Sequence, residues 1–317
     1  MSSESLINRY RPARFKDVIG QEDIVRSYKR ALDDHTSHAF LFTGPPGCGK
    51  TSLSRIGAAY VGSKGANLVE MDAASHSSVD AMRAVTEALM YRPLSLDKNP
   101  TKSVIIDECH SLSGQAWQSL LKTLEEPPEW VYFFLCTTDI RKVPDTINKS
   151  RCSSYVLRPV AASLLVDYLE DIVKAEKFDT PRAVLELCAR QAEGSPRRAL
   201  SNLSVCFSAA DRAEAARLIS DLDDELGGNG YELAKALAAG WSWQKVRPIL
   251  EGIVASDESP ETIRKVVSAY FAKIAITAKD EKAVCGALKI LDNFSTPFTG
   301  GEGFTPVVIA VGRSLFG

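Results

Sequence analysis

The chain has 317 residues, 45% of them hydrophobic and 25% charged, with 38 Lys and Arg against 40 Asp and Glu. Those proportions exclude wholesale disorder, a collagenous repeat and a membrane bundle, and the length predicts two or three domains. A formal net charge of -2 leaves no strongly basic bulk, so any nucleic-acid surface must be a local patch.

In chain order, Asp17 to Asp34 has a helical pattern, and Ala39–Phe42 is an apolar run that reads as a buried strand. A helix is predicted from Lys50 to about Val61, a strand at Leu68–Met71 and an amphipathic helix from Ser78 to Met90. Val104–Ile106 and Val131–Leu135 add two strands, with a helix from Gln115 to Leu124 between them. Strands alternating with helices at this spacing predict a parallel sheet covered on both faces. After about Arg158 the strand signal stops. Helices are predicted over Ala162–Ala175, Pro181–Ala192 and Arg197–Ala209, then over Tyr231–Ala239, Trp243–Ala255 and Glu261–Thr277. Gly227-Gly-Asn-Gly230 reads as a linker, and a closing helix follows the turn at Gly300–Gly303. The expected organisation is an α/β domain over 1–158, a helical domain over 159–226 and a second helical domain over 227–317.

The seven cysteines are odd in number and the closest pair is 16 residues apart, which fits neither a zinc pair nor a disulfide framework. Reduced thiols, a polar Met1–Ile7 and no long apolar stretch predict a soluble, cytoplasmic protein with no membrane contact.

The strongest motif is Gly44-Pro-Pro-Gly-Cys-Gly49-Lys50-Thr51, a phosphate loop placed between a strand and a helix. Glycines let backbone N–H groups turn toward phosphate oxygens, and the following helix adds the positive end of its dipole. Pro46, Gly47, Cys48, Gly49, Lys50, Thr51 and Ser52 are thus candidate ATP-binding residues. Lys50 would reach the β- and γ-phosphates and Thr51 would ligate Mg²⁺. The third strand ends in Asp107-Glu108, 57 residues after Lys50. An acidic side chain at that strand end is where Mg²⁺ needs a second anchor, which suits Asp107, and Glu108 is then placed as general base for an attacking water.

Arg9-Tyr-Arg-Pro12, Val18-Ile-Gly-Gln21, the phosphate loop, Leu120–Pro128, Cys136-Thr-Thr-Asp139, Ser150-Arg-Cys152 and Gly194-Ser-Pro-Arg-Arg198 occur in one order over some 190 residues. Together they resemble a clamp-loader ATPase subunit of the AAA+ superfamily, the group of replication factor C small subunits, the bacterial tau/gamma subunit and the phage large subunit. The resemblance implies an AAA+ P-loop domain with a parallel sheet, a helical lid and a helical C-terminal collar for oligomerisation. It places Arg9, Tyr10, Val18 and Ile19 at the nucleotide, the last three against adenine. The plain alternative is that Tyr10, Val18 and Ile19 are core residues of a first helix. It sets Thr138 at the first sensor, with Thr137 the neighbouring alternative, and Arg197 at the second, with Arg198 solvated or facing DNA. Arg151 is implied as the arginine that reaches the ATP of a neighbouring subunit in trans; the plain alternative is an ion pair with a local carboxylate.

Ala58–Val69 contains no cysteine, unlike the zinc insert of the bacterial subunit, and 317 residues leave no room for its long C-terminal domains. The resemblance therefore reads as a phage large subunit working in a bacterial cell or a phage-infected host. It implies copies of the chain in a spiral oligomer, a companion clamp-loader subunit, a sliding clamp, and primer–template DNA held by its backbone. His76, Ser77 and Ser113 are candidate DNA contacts, although helix N-caps explain such serines equally well. The other readings are a branch-migration or helicase-type AAA+ motor, or a nucleotide-gated scaffold. Trp241 and Trp243 read as a collar interface or as helix packing.

Overall fold

Five strands, β1 (Ala39–Thr43), β2 (Leu68–Asp72), β3 (Lys102–Asp107), β4 (Val131–Thr137) and β5 (Ser153–Val156), form one sheet in the order β2-β3-β4-β1-β5. Every neighbouring pair runs parallel. The computed structural model describes residues 5–75, 79–93, 100–226, 228–255, 259–278, 280–298 and 303–316. The chain divides into two compact units, residues 1–216 and 217–317.

In the first unit, helices α1 (Leu6–Arg9), α2 (Glu22–Asp33), α3 (Lys50–Tyr60), α4 (Val79–Leu89), α5 (Gly114–Glu125) and α6 (Asp145–Asn148) accompany the sheet. Side chains alternate across each strand, so each face has its own core. Phe40, Phe42, Ile105 and Phe134 pack with Tyr28 of α2 and Leu53 of α3. Leu41, Val104, Ile106 and Phe133 pack with Met82 of α4 and Trp117 and Leu120 of α5. Burial on both faces is why β1, β3 and β4 read as unbroken apolar runs. α3 lies so close to α2 and to the sheet that a Cβ on Gly57 would sit 1.7 Å from Tyr28 Oη and 3.1 Å from Phe134 Cε1 of β4.

The expected helix from Asp17 begins later. Phe15–Asp17 form one 3-10 turn, Val18 is extended, and α2 starts at Glu22. Gly20, at φ +67°, makes the turn between them, and a Cβ there would lie 2.8 Å from Val160 Cγ1. Val18 and Ile19 are therefore outside the helix. β5 was not expected at all; its Ser-Ser-Tyr-Val sequence is half-buried at the sheet edge, where apolar periodicity is weak.

Beyond β5, α7 (Ala162–Glu176), α8 (Arg182–Gln191) and α9 (Pro196–Cys206) form the lid. Their buried Leu165, Leu169, Val184, Cys188, Leu200 and Leu203 are spaced for an apolar stripe. Ser195 caps α9 by accepting from Arg198 N, with Pro196 at the first helical position. α10 (Arg212–Leu226) follows, a helix the sequence pattern did not single out.

The second unit carries α11 (Gly228–Ala238), α12 (Trp243–Ala255), α13 (Pro260–Thr277), α14 (Glu281–Asn293) and α15 (Thr305–Phe316) around Leu233, Ile253, Val267, Phe271, Phe294 and Val307. Residues 228–230, expected as linker, are the first turn of α11. Gly230 is buried there, and a Cβ would lie 3.2 Å from Ile263 Cδ1. Trp243 packs against this core, its ring 6.0 Å from Phe316, while Trp241 remains more exposed. Among the described residues, no helix is long and apolar enough to cross a membrane.

Candidate functional site

The loops that follow β1, β3 and β4 emerge side by side because those strands are neighbours. Thr43 pairs in register with Thr137, and Ile106 with Leu135. Ligands of open parallel sheets bind at such carboxyl ends. The loop after β1 needs three residues in the left-handed region, and all are glycine: Gly44 at φ +142°, Gly47 at +75° and Gly49 at +102°. Gly49 precedes α3 with no side-chain cap, so the first N–H groups of that helix face the cavity.

Lys50 is buried, and its Nζ donates to Gly44 O at 2.9 Å and Pro45 O at 3.0 Å. Both partners are neutral carbonyls, which leaves the ammonium a third N–H for an anion. The Thr51 hydroxyl donates to Asp107 Oδ2 at 2.6 Å, and Asp107 Oδ1 accepts from Glu108 N at 3.0 Å. A hydroxyl beside a carboxylate is a hard-oxygen donor set suited to Mg²⁺.

Glu108 sits in the left-handed region at φ +45°, where β3 breaks into a 3-10 turn over Cys109–Ser111. Such a conformation in a non-glycine residue is costly and is kept only where the surroundings impose it. Its Oε2 accepts from Thr138 Oγ1 at 3.0 Å and lies 3.2 Å from His110 Nδ1. Thr137, by contrast, is fully buried; its Oγ1 accepts from Asp139 N at 3.0 Å and is 3.1 Å from His110 Nδ1. Of the two sensor alternatives, Thr138 is the one touching Glu108. Burial raises the Cys136 thiol well above its ordinary value, Asp107 adding to it, so this neighbour stays neutral.

A cavity of about 220 Å³ joins these parts. Pro46 to Ser52, Asp107 and Glu108 line one side, Tyr10, Val18 and Ile19 another, and Tyr168, Pro196 and Arg197 close it from the lid. The lid turn meets the phosphate loop directly: a Cβ on Gly47 would be 2.2 Å from Ser195 Oγ and 3.3 Å from Arg197 Cβ. Arg198 points away, its Nε donating to Gln191 O at 3.2 Å.

Arg9 does not line this cavity. It ends the short α1, and its Nη1 reaches Glu176 of the lid at 3.0 Å, where Tyr10 Oη also donates at 2.6 Å. Arg151 does not line it either; its Nη2 and Nε donate to Glu125 Oε1 at 2.7 and 3.2 Å. Ser113 accepts from Ala116 N as the N-cap of α5, so its hydroxyl has a structural partner. His76 and Ser77 lie outside the described residues.

Four residues in these contacts were not found by sequence reasoning: His110, Glu125, Tyr168 and Glu176. Only His110 has a local signal, two positions after Glu108. Tyr168 donates to Tyr10 O at 3.1 Å, and burial pushes its phenol up to about 12.

The parallel sheet, the glycine loop entering α3, the acidic pair after β3 and the helices that follow define an AAA+ nucleotide-binding core with a helical lid and C-terminal collar. The RuvB Holliday junction branch migration motor of Thermotoga maritima shares the fold, with TM-score 0.56 and 20% identity over 72% of this chain and 79% of that one. A family profile described as DNA polymerase III, delta subunit, matches residues 62–161. DNA polymerase III subunit tau of Bacillus subtilis is 37% identical over 230 residues, 66% of this chain and 40% of that protein. The Escherichia coli subunit tau is 35% identical over 256 residues, 71% of this chain and 38% of that protein. The chain belongs to the DNA polymerase III tau/gamma family of AAA+ clamp-loader subunits. It spans 38–40% of the length of these two curated relatives.

Proposed function

We propose that the chain is the ATPase motor subunit of a DNA-replication clamp loader, working in the bacterial or phage-infected cytoplasm. The observation that carries this reading is the Thr51–Asp107–Glu108–Thr138 chain of contacts beside the phosphate loop, in a member of the tau/gamma family. Lys50 and the N–H groups from Gly47 to Ser52 would bind the phosphates, and Tyr10, Val18 and Ile19 would hold adenine. Mg²⁺ between Thr51 and Asp107 would neutralise charge on the β- and γ-phosphates. Glu108 would take the proton of the attacking water while Thr138 orients the carboxylate, and Arg197 would bring the lid onto the nucleotide.

Arg151 would act on the nucleotide of the next copy, stabilising charge on the transferring phosphoryl group. Copies in a spiral, with a companion subunit, would then open a sliding clamp when ATP binds. Hydrolysis triggered by primer–template DNA would release the clamp, closed, on the duplex. Uniform backbone contact with the DNA needs no base-reading residue.

The test is steady-state ATP hydrolysis with and without primer–template DNA, in the presence of co-purifying subunits and clamp. DNA-stimulated turnover that disappears in Arg151→Ala is the expected result. Slow hydrolysis indifferent to DNA would favour a nucleotide-gated scaffold, and strand displacement or branch migration would favour a helicase-type motor.

A further inference from the structure

Arg151 is held chiefly along its Nε edge. Its Nε and Nη2 both donate to Glu125 Oε1, at 3.2 and 2.7 Å, while Nη1 makes a long 3.4 Å contact to Ser150 O. A guanidinium carries five N–H groups in a planar fork. Glu125 occupies the Nε edge and Ser150 O takes one Nη1 proton, which leaves one N–H on each of Nη1 and Nη2, a pair that can take a phosphate in bidentate fashion. The backbone under this side chain is anchored on both sides. Arg151 N donates to Ile147 O at 3.2 Å, and Cys152 packs into the sheet core before β5 begins.

Glu125 is the last residue of α5, and both side chains remain partly exposed, at 47% for Glu125 and 35% for Arg151. An ion pair this exposed contributes little to folding. Its consequence is orientation: a free arginine must give up rotamer entropy to meet a ligand, and this one is already held.

We propose that Glu125 is a positioning residue for Arg151, presenting the Nη1/Nη2 edge to the terminal phosphate of a nucleoside triphosphate bound by a neighbouring copy of the chain. The inference rests on the trans role given to Arg151 above. Removing Glu125 leaves the arginine chemically intact but unaimed. Glu125→Ala then lowers kcat on the order of 10²-fold, the effect of misplacing a catalytic group by about an ångström. KM and nucleotide affinity stay near the parent values, and Glu125→Gln, which keeps one acceptor, falls between.

The deciding experiment uses mixed assemblies of the full chain with its companion subunits. Glu125→Ala copies are co-assembled with Lys50→Ala copies, which cannot bind nucleotide but carry an intact Glu125–Arg151 pair. DNA-stimulated hydrolysis should reappear above that of either variant alone, and the parallel Arg151→Ala with Lys50→Ala mixture should behave likewise. Recovery in the Arg151 mixture alone would overturn the positioning role while leaving the clamp-loader reading in place. Recovery in neither would remove the trans arginine and the positioning role together. An unchanged kcat in Glu125→Ala, or a loss seen only in KM, would also overturn the inference.

Discussion

The Thr138 hydroxyl donates to Glu108 Oε2 across 3.0 Å, joining the residue after β4 to the left-handed residue after β3. His110 Nδ1 lies 3.2 Å from the same oxygen. The two strands are adjacent, so sheet order alone brings these loops together, and Glu108 is oriented by groups 30 and two positions away in sequence. A general base must lie within hydrogen-bond reach of its water, so the hold on this carboxylate sets how well it works.

Glu108→Gln should therefore lower single-turnover hydrolysis by about 10²–10⁴-fold, the usual contribution of a positioned base, with ATP still bound. Thr138→Ala should give a smaller loss of the same kind, because the base remains but is less well oriented. Rapid-quench hydrolysis beside equilibrium nucleotide binding separates the two effects. Failure to bind ATP in Glu108→Gln would contradict the assignment.

Gly47 marks the contact between phosphate loop and lid. At φ +75°, with Ser195 Oγ 2.2 Å from where a Cβ would stand, Gly47→Ala must strain the loop or push the lid turn away. Backbone strain of this kind costs about 1–3 kcal/mol, so both ATP affinity and the melting temperature should fall. Gly286→Ala, inside α14 with nothing near its Cβ position, is the control and should be neutral or stabilising by up to about 1 kcal/mol.

Glu176 ties the N-terminal segment to the lid, accepting from Tyr10 Oη at 2.6 Å and Arg9 Nη1 at 3.0 Å. Burial, and then the hydrogen bond to Glu176, holds the Tyr10 phenol above its ordinary value. Hydrogen bonds to a charged group are worth about 1.5–3 kcal/mol. Glu176→Ala should thus weaken ATP binding about tenfold or more through looser placement of Tyr10, with a smaller change for Tyr10→Phe. Isothermal titration with a non-hydrolysable ATP analogue measures both.

In the second unit, Glu261 accepts from Arg264 Nη2 at 2.7 Å and from Phe298 N at 2.9 Å. The arginine, helped by that N–H, holds the carboxyl down at about 2. A depressed carboxylate contributes stability that is complete above its unfolded value, about 4.3, and fades as pH falls toward its folded value. Acid unfolding of this unit should accordingly set in between pH 4.3 and about 2, and Glu261→Gln should lose about 2 kcal/mol at neutral pH and flatten that dependence. Thermal melts of the full chain across this range provide the measurement.

Local chemistry was legible along the chain. The glycine loop before Lys50, the acidic pair after an apolar run, and the buried strands β1, β3 and β4 each follow from spacing over a few residues, because backbone conformation and burial on both faces act locally. Of the two edge strands, β2 was legible and β5 was not, since Ser153–Val156 is half-exposed and carries too few apolar residues to announce it. Side-chain partnerships were not legible either. Glu125 meets Arg151 across 26 residues, and Glu176 meets Tyr10 across 166, while Glu126 beside Glu125 offered the same charge at the same place in the sequence. Only the tertiary structure decides between them, because the order in which parallel strands pair, and the residue at which a helix ends, determine which carboxylate comes within reach of a guanidinium.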